Sequence, residues 1–118
     1  MSAPISTITR ERAAAIRTCA PLFAALGDPT RLSVLSRLAA GRPQSISEIT
    51  AGTKLTRQAV TRHLCVLADV GVVRAEKSGR ESLYRLSPDG LEPARRYLDA
   101  VSRSWDEAIE RLKAMVEE

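Results

Sequence analysis

Between Thr56 and Gly71 apolar residues return at helical spacing. Val60, Leu64 and Leu67 stand at i, i+4 and i+7, which stacks them along one side of a helix. Thr56 suits the N-cap, because its hydroxyl can take up an orphaned amide of the first turn. Gly71 follows the last periodic residue and ends the helix as a C-cap. Gln58, Thr61, Arg62 and Asp69 fall on or near the opposite side, with Arg57 on the flank. Such a face can meet base edges in a major groove, or can simply be the solvated side of an amphipathic helix. The neighbouring elements choose between the two.

Upstream, the pattern predicts three more helices. Residues 1–9 carry Pro4 and small polar side chains and read as a flexible lead-in. Thr9 can cap a helix over 10–26, along which Ile16, Cys19, Ala20, Phe23 and Leu26 share a side before Gly27 ends it. Asp28-Pro29 opens a second helix, with proline at the first helical position, where its missing N–H had no partner anyway. Leu32, Leu35 and Leu38 give that helix its apolar side, and Gly41-Arg42-Pro43 breaks it. Ser45 and Glu48 have capping-box spacing, although Ser47 is an equal candidate for the cap. A short helix over 46–52 follows, with Ile46 and Ile49 inward and Gly52 at its end. Only Thr53-Lys54-Leu55 separates it from the helix capped by Thr56, so residues 46–70 read as a helix-turn-helix.

After Gly71 the period shortens. Val72–Lys77 and Glu81–Leu86 read as strands around a glycine-containing turn, with Lys77 and Arg80 at its tip. A basic hairpin over 72–86, directly after a helix-turn-helix, is a wing. Ser87-Pro88-Asp89-Gly90 is expected to be a turn, and a last helix to run over 91–117. Along that helix Ala94, Val101, Ala108 and Met115 recur every seven residues, with Leu98, Trp105 and Leu112 between them, which is an a/d seam. At 1.5 Å per residue the helix is about 40 Å long, more than a small core can cover. The expected cover is a second copy of the chain, with Ile16, Phe23, Leu98, Val101, Trp105 and Leu112 at the contact; packing within one chain is the alternative. The fold class is therefore mainly α with a small β-hairpin, a single winged helix-turn-helix domain over 1–118, paired as a homodimer through its terminal helices at 10–26 and 91–117.

Composition narrows the function. The chain has 118 residues, 44% apolar and 27% charged, with only 3% aromatic, so it lacks the stacking platform used for single strands. The net charge of +4 is unevenly spread. Residues 31–85 hold ten bases against four acids, a balance of +6, whereas 86–118 hold five against eight, a balance of −3. Positive charge thus sits on the central module, where a polyanion would dock. Two cysteines make no disulfide scaffold, and no apolar run reads as a signal peptide or a membrane span. The expected compartment is the cytoplasm, without membrane association. One histidine, two separated cysteines and no clustered acid–base set point away from an enzyme and supply no catalytic residues.

Five patches in order carry a family resemblance: Phe23–Leu32, Ser47-Glu48-Ile49, Thr56–Leu64, Gly71-Val72-Val73 and Tyr84-Arg85-Leu86. Together they resemble the ArsR (ArsR/SmtB-like) winged-helix repressors over roughly residues 20–90. The resemblance implies a dimeric repressor on double-stranded DNA, at an inverted-repeat operator of its own or a neighbouring operon. It puts Arg57, Gln58, Thr61 and Arg62 against bases and gives His63, Lys77 and Arg80 to the backbone or minor groove; Thr56 and Lys54 complete the DNA-facing set. Many members bind metal through Cys-x-Cys on the third helix. Here those positions are Ser45 and Ser47, and hydroxyls are poor soft-metal ligands. Residues 86–118 also lack the histidine of the family's other metal site. No metal site and no cofactor are expected. Two alternatives stay open: a winged-helix interaction module that pairs with another chain through its heptad helix, and a thiol-based repressor responding to redox state through Cys65.

Overall fold

The computed structural model describes residues 3–117, with side chains from Arg10 to Glu117. In chain order the elements are α1 (Ala3–Leu26), α2 (Pro29–Leu38), β1 (Gln44–Ser45), α3 (Ile46–Ala51), α4 (Arg57–Asp69), β2 (Val73–Ser78), β3 (Glu81–Leu86) and α5 (Pro88–Glu117). They fall into two compact units. One takes α1 through Cys19 together with α5 from Glu92; the other is Ala20–Leu91.

The second unit is built on the expected helical periods. Asp28 caps α2, its carboxylate accepting from the Arg31 amide at 2.7 Å, with Pro29 at the first helical position. Val34, Leu35 and Leu38 are buried, but Leu32 is 45% exposed. The inward face of α2 is therefore rotated from the expected 32/35/38 row onto Val34. Ser45, and not Ser47, caps α3. Its hydroxyl accepts from the Glu48 amide at 3.1 Å while the Glu48 carboxylate accepts from the Ser45 amide at 3.1 Å. This reciprocal pair satisfies two orphan donors of a six-residue helix.

Ile49 of α3 and Val60, Leu64 and Leu67 of α4 are wholly buried, each worth about 1.5–3 kcal/mol relative to exposure. At the end of α4 the Val72 amide bonds the Leu67 carbonyl at 3.1 Å and the Gly71 amide bonds the Ala68 carbonyl at 3.0 Å. Gly71 has φ +84. That is a Schellman stop, closed by the paired burial of Leu67 and Val72.

The hairpin forms with Ser78 opposite Glu81 around Gly79-Arg80, and Gly79 at φ +64 supplies the positive-φ position of a two-residue turn. A third strand was not anticipated. β1 pairs antiparallel with β3, Gln44 opposite Tyr84 and Ser45 opposite Leu83, giving the order β1-β3-β2. Two residues carry no periodicity of their own, so only the pairing reveals them.

The first unit consists of two long helices. Helix α1 begins at Ala3, not at residue 10, and includes most of the stretch expected to be a flexible lead-in; residues 1 and 2 lie outside the described range. Pro4 sits at its second position, where an amide has no helical partner, so it does not bar an earlier start. Helix α5 begins at Pro88, so Ser87–Gly90 forms its entry and not a separate turn. The Gly90 amide bonds the Ser87 carbonyl at 3.1 Å, proline presets the first φ, and Asp89 suits the dipole of the first turn. The buried Cys19 thiol donates to the Pro93 carbonyl at 3.5 Å.

Candidate nucleic-acid interface

Helix α4 carries two opposed faces. Val60, Leu64 and Leu67 are fully buried, whereas Arg57, Gln58 and Arg62 are exposed and Thr61 is half-buried. Thr56 is exposed and caps the helix, its hydroxyl accepting from the Ala59 amide at 3.1 Å. The Thr61 hydroxyl donates back to the Arg57 carbonyl at 2.8 Å, which leaves its methyl and an oxygen lone pair for an incoming base. Arg57 donates through Nη1 to the Ser47 Oγ of α3 at 2.7 Å. A guanidinium has five N–H donors, so this bond leaves others free.

His63 departs from expectation. Its ring is only 9% exposed and its Nδ1 is buried without a partner, so it does not stand with the DNA-facing groups as the resemblance implied. The reason is positional. Residues 60, 63, 64 and 67 form one continuous i, i+3, i+4, i+7 stripe, and His63 fills its second place. The spacing contained that signal; the resemblance pointed the other way.

The basic residues of the central module divide by what they touch. Arg31 Nη1 donates to the Ala25 carbonyl at 3.0 Å and Arg37 Nη1 to the Gly52 carbonyl at 3.1 Å, so both are structural. Arg42 pairs with Glu48 at 3.0 Å and Arg85 with Glu76 at 2.7 Å. Lys54, Arg57, Arg62, Lys77 and Arg80 remain exposed and in no ion pair among the described residues, and Arg74 joins them. Sequence reasoning had counted Arg74 in the net charge without singling it out. Strand pairing sets it directly across from Arg85.

Glu48 stands at the start of α3, where two donors face its carboxylate. The Ser45 amide first, then the Arg42 guanidinium, hold its carboxyl below the usual glutamate value. Ser45 and Ser47 thus serve as helix cap and as acceptor for Arg57. Cys65 is exposed on α4.

Of the residues expected at a dimer contact, Ile16, Leu98, Trp105 and Leu112 are 51%, 52%, 66% and 60% exposed, and Phe23 and Val101 are half-buried. Ile109, Met115 and Val116 are also exposed. No helix of the described residues is long and apolar enough to cross a membrane.

Comparison with known proteins agrees with this geometry. A helix-turn-helix domain family model matches residues 26–76. The HTH-type transcriptional regulator Rv2034 of Mycobacterium tuberculosis is 36% identical over 85 residues, covering 72% of this chain and 76% of the relative. The solved structure of an ArsR-like transcriptional regulator from Rhodococcus sp. RHA1 superposes with a TM-score of 0.74 at 33% identity, covering 84% of this chain and 92% of that one. The homodimeric winged helix-turn-helix DNA-binding domain of Mb0332 from Mycobacterium bovis, a possible ArsR-family regulator, gives a TM-score of 0.60 at 28% identity over 84% of this chain and 88% of that one. With α4 faced by Arg, Gln and Thr, followed by a basic hairpin, the chain belongs to the ArsR family of winged helix-turn-helix, DNA-binding transcriptional regulators.

Proposed function

We propose that the chain acts as a homodimeric repressor in the cytoplasm. Two copies pair through α1 and α5 and set their α4 helices into successive major grooves of an inverted-repeat operator. Arg57, Gln58, Thr61 and Arg62 meet base edges. Lys54, Thr56, Lys77, Arg80 and Arg74 meet the phosphate backbone or the adjacent minor groove. Repression follows from occupancy, since a dimer seated on a promoter excludes the transcription machinery. No metal takes part in this reading, because the two hydroxyls at 45 and 47 are already committed to protein partners.

One observation carries it: α4 buries Val60, Leu64 and Leu67 while exposing Arg57, Gln58 and Arg62, and the hairpin that follows exposes Lys77 and Arg80 at its tip. The reading is tested by selecting bound duplexes from a random pool with the purified full chain, with and without added metals and reductant. An enriched palindrome is expected in every condition. Arg57→Ala should then relax the sequence preference, a bidentate arginine–guanine contact being worth about 1–3 kcal/mol. Lys77→Ala should weaken all duplexes alike. Recovery of no consensus, or identical binding by both variants and the parent, would contradict the reading.

A further inference from the structure

Helix α3 is held at its start from three directions. The Ser45–Glu48 capping box closes it, Arg42 holds the outer oxygen of Glu48 at 3.0 Å, and Ser45 is at the same time a residue of β1, paired with Leu83 of the wing strand β3. Ile49, one turn on, is wholly buried. Ser47 therefore projects from a short segment with little freedom. Its Oγ accepts from Arg57 Nη1 at 2.7 Å. Arg57 is the first residue of α4, on the face exposed to solvent.

We infer that Ser47 is a positioning residue for Arg57, and that the Ser45–Ser47 segment ties the wing and the reading arginine to one fixed point. An exposed arginine samples many rotamers, and ordering one on binding costs affinity. A hydroxyl that already holds one N–H of the guanidinium removes part of that cost and aims the remaining donors outward. The bond is charge-assisted and short. It spans the two helices of the helix-turn-helix, ten positions apart in sequence, so it also fixes the arginine relative to α3. The inference rests on the reading of α4 proposed above.

The test separates the two. Using the full chain, the selected duplex and a scrambled duplex of equal length, the ratio of specific to non-specific affinity is measured for the parent, Arg57→Ala, Ser47→Ala, Ser47→Thr and the Ser47→Ala/Arg57→Ala double variant. Ser47→Ala should lower the ratio about threefold to tenfold, the range expected from freeing one rotamer-rich side chain, with unchanged salt dependence and thermal midpoint. Ser47→Thr, which keeps the hydroxyl, should restore it. In the Arg57→Ala background Ser47→Ala should have no further effect. In the free protein, nitrogen relaxation at Arg57 Nε should report a restricted side chain that becomes mobile in Ser47→Ala. A ratio unchanged by Ser47→Ala while Arg57→Ala lowers it would overturn the positioning role alone, as would an equal loss in both backgrounds. A ratio unchanged by Arg57→Ala would overturn the reading of α4 and this inference with it.

Discussion

Removing the Trp105 indole measures the apolar seam of α5 directly. Trp105 is 66% exposed in the single chain, so most of its surface is still available for burial. With a tryptophan side chain offering about 150–250 Å², that fraction is about 100–165 Å². At about 25 cal/mol per Å² this gives roughly 2.5–4 kcal/mol per chain, and a twofold dimer counts it twice. Association also costs translational freedom and side-chain order, so this area sets an upper bound. Trp105→Ala should weaken the dimer by a few kcal/mol within that bound, about 3 kcal/mol corresponding to roughly a hundredfold in Kd. Sedimentation velocity across a concentration series gives both constants, and far-UV circular dichroism checks that the helices persist. A parent chain that stays monomeric at tens of micromolar, or a variant with the parent's Kd, would refute the account of the seam.

Other perturbations act on separate parts of the molecule. An added Cβ at Gly90 would fall on the Gly71 carbonyl oxygen, so Gly90→Ala should force apart the end of α4 and the first turn of α5 and lower the thermal midpoint markedly, whereas Gly41→Ala meets only backbone strain, because nothing lies within 4 Å. Lys77→Ala and Arg80→Ala should each lower the slope of log K against log salt by about one per chain, about two per dimer, as read from titrations at several salt concentrations. The depressed carboxyl of Glu48 contributes stability above the ordinary glutamate value of 4.5, lost as pH falls through its lowered folded value. Glu48→Gln should therefore flatten the acid limb of a denaturation series below that pH, and an unchanged acid limb would show that the capping box does not titrate with folding.

The helices were legible because burial and periodicity agree along them. Val60, Leu64 and Leu67 lie at the spacing that their complete burial requires, and Thr56 and Gly71 mark the two ends with side-chain and backbone chemistry that is local in sequence. What escaped was set by long-range contact. Strand β1 exists only because Gln44 and Ser45 find Tyr84 and Leu83. The resemblance gave His63 to the backbone or minor groove, whereas its place in the α4 stripe decides its burial. The net charge of residues 31–85 was read correctly as a sum, but composition cannot tell Arg31 and Arg37, which bond backbone carbonyls, from Arg62 and Arg74, which remain exposed. The bond between Ser47 and Arg57 joins neighbouring helices of one motif, and no pattern in the sequence announces it.

The most direct measurement is a hydroxyl-radical footprint of the full chain on its selected duplex. The account predicts two symmetry-related protected patches on one face of the DNA, their centres one helical turn apart at about 34–36 Å, with a further short protection flanking each where the hairpin tip reaches. A single unpaired protected patch, or protection that Arg57→Ala and Lys77→Ala leave untouched, would contradict it.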